Sequence, residues 1–88
     1  MEFDGRRLVG YAVVLRVHES EAIKPVRLYD HVQAHGEHHM HRYNGSGEKQ
    51  QPPEILAHAS VQAGLDSAIS QIRTSGSEMI EAWRRQTG

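Results

Sequence analysis

The chain has 88 residues, ten basic side chains against eleven acidic ones, seven histidines and no cysteine. That length holds one hydrophobic core and not two. Without cysteine there is no disulfide framework, thiolate metal site, iron–sulfur cluster or cysteine nucleophile. A nearly balanced charge excludes the global positive field of a nonspecific nucleic-acid binder.

The first seven residues, Met1 to Arg7, carry charges of both signs, unlike the basic start of a secretory leader. No apolar run approaches the roughly 18 residues of a membrane span. A soluble, cytoplasmic, single-domain protein is therefore expected over residues 1–88, with no membrane contact. Apolar residues make up only 38% of the chain. A core that small is marginal, so a homodimer covering further apolar surface is also expected.

The chain opens with a strand over residues 7–17. Val9, Tyr11, Val13, Leu15 and Val17 recur at period two and form the larger, core-directed face. His18-Glu19-Ser20-Glu21 reads as a turn. The second strand covers residues 25–32, with Pro25 at its start or on an edge because proline cannot donate to a ladder. Strict alternation sends Val26 and Leu28 inward and Arg27, Tyr29 and His31 outward. Gly36 supplies a reversal that needs positive φ. The third strand, residues 37–43, sets His39, His41 and Tyr43 on one face against His38, Met40 and Arg42 on the other. Asn44-Gly45-Ser46-Gly47 is a turn signal, and Gln51-Pro52-Pro53-Glu54 an extended linker.

Residues 60–85 form the last element. Val61, Leu65, Ala68, Ile69, Ile72, Gly76, Met79, Ile80 and Trp83 share one stripe at helical period. Ser60 is the expected N-cap, and Arg84 and Arg85 suit the negative end of the helix dipole. The stripe keeps phase across Gly76, which favours one continuous helix. The rival is a break, since Ser75-Gly76-Ser77-Glu78 also reads as a capping box. The fold class is α+β: a three-stranded antiparallel meander followed by one long amphipathic helix, β-β-β-α.

Chemistry concentrates between Asp30 and Tyr43, where five histidines and two carboxylates occupy fourteen residues. His39 and His41 project from the same side of a strand, as in an H-x-H metal pair. His31 on the neighbouring strand, or His35 in the turn, would supply a third ligand for zinc. The other reading takes the whole outward face. Arg27 and Tyr29 would bind RNA by charge and stacking. His39, His41 and His31, with Arg42 and Tyr43, would supply an acid, a base and a cation for metal-independent cleavage at the 2′-hydroxyl. A solvated polar sheet face without chemistry is the bland alternative, because antiparallel sheets ordinarily wet one side. Trp83, Met79 and Ile80 are core first and a partner surface second. There is no P-loop, dinucleotide fingerprint, G-x-S-x-G elbow, H-E-x-x-H or EF-hand sequence, so no cofactor beyond zinc is expected.

The order Val26-Arg27-Leu28-Tyr29-Asp30, His38-His39-Met40-His41-Arg42-Tyr43, Pro52-Pro53-Glu54 and a terminal helix resembles small bacterial proteins of the TumE-like toxin class. Asp30, His38, His39 and His41 match best, and Tyr29-Asp30-His31 stands where that class has Trp-Asp-Asn. The resemblance covers about half the chain. It implies an RNA-targeting toxin neutralised by a separate antitoxin protein. The combined expectation is an RNA-binding or RNA-cleaving protein, the alternative a non-catalytic metal- or protein-binding module.

Overall fold

A computed structural model describes residues 1–32 and 36–87. Strands β1 (Glu2–Asp4), β2 (Arg7–Glu19), β3 (Ala22–His31), β4 (His38–Arg42) and β5 (Glu54–Leu56) precede helix α1 (Val61–Thr87). The strands form one antiparallel sheet in chain order, β1-β2-β3-β4-β5. The class is α+β as expected, but the sheet has five strands rather than three. The two additional strands are three residues each and lie at the edges. Such short elements leave almost no periodic signal, and shortness at an edge limits unwanted pairing with other chains.

The turns follow from local chemistry. Glu19 pairs with Ala22, so Ser20 and Glu21 form a two-residue hairpin loop, with Ser20 at φ 53°. Positive φ matches the twist of the flanking strands. Gly36 takes φ 69°, as expected of the reversal before β4. The Asn44 side chain accepts hydrogen bonds from the amides of Ser46 (2.9 Å) and Glu48 (3.0 Å), which fixes the excursion between β4 and β5.

One irregularity decides which side chains meet. Leu15 pairs with Arg27 and Arg16 with Pro25, which leaves Val26 as an extra residue in β3. This is a β-bulge, and it shifts the alternation by one. Pro25 therefore sits inside β3, at a place where the ladder is already broken. Val26 remains in the core, but beyond it Tyr29 and His31 turn toward the helix and Leu28 turns away. The expected outward set of Arg27, Tyr29 and His31 is thus corrected. All three lie on the helix side of the sheet.

Helix α1 is continuous through Gly76 and runs roughly 40 Å at 1.5 Å per residue. The Ser60 hydroxyl accepts from the Ala63 amide at 3.0 Å, which confirms the N-cap. Leu65, Ala68, Met79 and Trp83 are buried, and Val61, Ile69, Ile72 and Ile80 are half-buried beside them. The core falls into two clusters along the helix. The larger joins Leu8, Tyr11, Tyr29 and Met40 to Leu65 and Ala68; the smaller joins Val17 and Val26 to Trp83. Among the described residues no helix is long and apolar enough to cross a membrane.

Candidate functional site

Strand β4 distributes its histidines to both sides of the sheet. On the side away from the helix, cross-strand pairing makes a row of Ala12, Asp30, His39 and Ile55. Val14, Leu28 and His41 form the next row on the same side. Asp30 and His39 are therefore direct cross-strand neighbours, and His41 stands one step along the same face. The His39 Nδ1 lies 3.6 Å from Asp30 Oδ1, and His41 Nε2 lies 3.7 Å from Asp30 Oδ2. The two rings are 5.9 Å apart between centroids. All three side chains are half-buried, so the cluster is open to solvent from one direction.

The electrostatics favour a neutral His41. Burial is the largest cause lowering its pKa, and the charges of Lys49 and His39 push the same way, against an opposing pull from Asp30. Lys49 is thus near enough to be felt; it pairs with Tyr43 just beyond β4. Among the described residues, Asp30 Oδ1 and His41 Nδ1 are buried without a hydrogen-bond partner. A buried carboxylate oxygen left in that condition is costly unless something engages it.

The other side of the sheet carries a second group of rings. Tyr11, His31, His38 and Leu56 form one cross-strand row beneath the start of α1. The Tyr11 hydroxyl lies 2.7 Å from His38 Nδ1, to which it donates when that imidazole is neutral. Rings of His31 and His58 flank His38 at 4.5 Å and 4.9 Å. Burial, then the neighbouring charges of His31, His58 and His39, lowers the His38 pKa. Burial and, secondarily, the Asp30 charge push Tyr11 up to about 12. Both shifts hold the pair in the protonation states that its hydrogen bond requires. Gly64 sits directly over it, the close approach made possible by a missing side chain.

The residues expected to act together are therefore divided. His39 and His41 meet as expected, but Asp30 completes their cluster in place of His31, which is buried against His38. His35 lies outside the described residues. Arg27, Arg42 and Tyr43 line a cleft of about 60 Å³ beside Trp83, on the helix side. There Arg27 donates to the Tyr29 hydroxyl at 3.3 Å, that hydroxyl donates to Gln71 at 3.0 Å, and Arg42 pairs with Glu54 at 3.3 Å. Tyr29, only 2% exposed, is a core residue and offers no ring for stacking.

Residue reasoning gives no role at a site to Lys49 or His58, reads Tyr11 only as a core residue, and names Asp30 only as a carboxylate of the histidine-rich segment and in the family resemblance. A buried tyrosine on the core face of β2 needs a hydroxyl partner, and that need was the available signal for Tyr11. His58 stands alone after the linker and carries no local signal. Comparison with protein-family models, with curated proteins and with solved structures finds no match.

Proposed function

We propose that this protein is a small RNA-directed, toxin-like factor of the cytoplasm whose working group is the Asp30–His39–His41 cluster. The observation that carries this reading is convergence. Of the four residues that match TumE-like toxins best, three lie together on one half-exposed sheet surface. Two imidazoles within reach of one another can act as base toward a 2′-hydroxyl and acid toward a leaving oxygen. Asp30 stands within ion-pairing distance of both rings, and Lys49 adds positive charge that His41 feels. Arg27, Tyr29, Arg42 and Tyr43 are not part of this arrangement. The apolar side chains of Val14, Leu28 and Ile55 around the cluster suit coverage by a protein, in this reading an antitoxin or a second copy of the chain.

The test is a labelled RNA and its DNA counterpart, incubated with the parent, Asp30→Asn, His39→Gln, His41→Gln and His18→Ala proteins. RNA should be cut and DNA left intact. Each change in the cluster should slow cutting by about 10²–10⁴-fold, and His18→Ala should behave as the parent. Intact RNA with the parent protein, or equal cutting by the cluster variants, refutes the reading.

A further inference from the structure

Asp30, His39 and His41 present one ligand atom each, all within 4.8 Å of one another. The contacts of 3.6 Å and 3.7 Å between Asp30 and the two imidazoles are too long for hydrogen bonds, which close at about 2.7–3.2 Å for nitrogen donors. They are near another spacing. Two ligands about 2.0–2.2 Å from a tetrahedral ion stand about 3.3–3.6 Å apart. The cluster is thus wider than ideal hydrogen bonding, with Asp30 reaching His39 through Oδ1 and His41 through Oδ2, and its spacing approaches that of ligands sharing an ion.

Three further observations agree. Asp30 Oδ1 is buried and, among the described residues, has no hydrogen-bond partner. The ligand atoms come from two paired strands, β3 and β4, and the ladder fixes their relative positions before any ion arrives. The Ile55, Val14 and Leu28 side chains surround the group with apolar surface, which strengthens attraction between an ion and its ligands.

We infer that Asp30, His39 and His41 form a binding site for a first-row divalent ion of the zinc class. Two nitrogen donors and one carboxylate oxygen select such an ion over magnesium or calcium, which take mostly oxygen. Three protein ligands leave a position open toward solvent, unlike a closed structural site. The inference uses the same side chains as the RNA-directed function but not its substrate, and it stands if RNA is not the target. Because a bound ion occupies the ring nitrogens that would take a proton from the 2′-hydroxyl and give one to the leaving oxygen, occupancy and that reaction exclude each other.

The experiment uses the untagged full-length chain, stripped with chelator and equilibrated with zinc or magnesium, with no nucleic acid present. Bound metal is counted by elemental analysis, and thermal unfolding is followed with and without each ion. Zinc should bind at about one equivalent and raise the melting temperature through mass action, and magnesium should do neither. Asp30→Asn, which preserves shape, and His39→Gln should each lose at least tenfold in zinc affinity. His18→Ala should bind as the parent does. No zinc uptake, or uptake by Asp30→Asn equal to that of the parent, overturns the assignment. Circular dichroism of each ion-free variant shows whether a lost site reflects the ligand or the fold.

Discussion

Adding one methyl group to α1 at Gly64 should destabilise the protein, against the usual direction of a glycine-to-alanine change in a helix. A Cβ at that position would lie 2.5 Å from His38 Cε1 and Nδ1 and 2.6 Å from the Tyr11 hydroxyl oxygen. The imidazole must then yield, or the helix must lift. Overpacking of this kind costs about 1–3 kcal/mol. If the ring instead swings away, the buried Tyr11–His38 hydrogen bond is lost, at a similar cost of about 1–3 kcal/mol. These are alternative responses to one clash, so only one of them counts. Helix propensity offsets up to about 1 kcal/mol. From the midpoint of that cost, about 2 kcal/mol, the net loss is about 1–2 kcal/mol, or about 4–16 °C in melting temperature for a domain of this size. Gly76 provides the internal control. There the nearest atom to an added Cβ is Ile72 Cγ2 at 3.9 Å, an ordinary contact. Gly76→Ala should therefore stabilise by about 0.5–1 kcal/mol. Thermal melts followed by circular dichroism decide the matter. If both substitutions move the midpoint the same way, or if Gly64→Ala leaves it unchanged, the close packing of α1 on the Tyr11–His38 pair is wrong.

The same pair predicts an alkaline limit. The unfolded phenol loses its proton near 10 but the folded one near 12, so between those values the unfolded chain binds fewer protons and stability falls as pH rises. Urea titrations of ion-free protein from neutrality to pH 11 should show that decline, and Tyr11→Phe should remove it while lowering stability at pH 7 by about 1–3 kcal/mol; an undiminished decline in the variant would locate the effect elsewhere. In the larger core cluster, Leu65→Ala should cost about 2–4 kcal/mol, because Leu65 is 6% exposed among Tyr11, Tyr29 and Met40. A melting temperature within a degree or two of the parent would contradict that placement.

Long, periodic segments were legible in the residues themselves. Strand β2 declares most of its core face through Tyr11, Val13, Leu15 and Val17, although Leu8 enters the core at its start where the alternation predicts Val9. Helix α1 declares its stripe from Val61 to Trp83. Both patterns persist over enough residues to outweigh local exceptions. Strands β1 and β5 were not legible, because three residues cannot establish a period. The candidate site was read half correctly for a related reason. The pairing of His39 with His41 needs only the period of one strand. The choice of Asp30 over His31 as their neighbour depends on the bulge at Val26, which reverses the facing of everything after it in β3. Nothing in Lys24-Pro25-Val26-Arg27 announces which residue the ladder will skip, although a proline within a strand pattern is itself a sign of irregularity. Lys49 and His58 enter from segments outside the histidine-rich region, and their proximity is a product of the tertiary fold alone.

The division of the core into two clusters has a mechanical meaning. Helix α1 acts as a beam resting on two supports, one formed by Leu65 and Ala68 over the middle of the sheet and one by Trp83 over the β2–β3 end. The second support is much the smaller, with Val17 and Val26 as its buried partners. Local opening free energies follow buried apolar contact, so the Trp83 end can release while the first support holds. The Asp30–His39–His41 cluster lies across the sheet from Tyr29 and Met40, in the span anchored by the first support. A substitution that empties the Trp83 support should therefore disturb the far third of the helix more than the histidine surface.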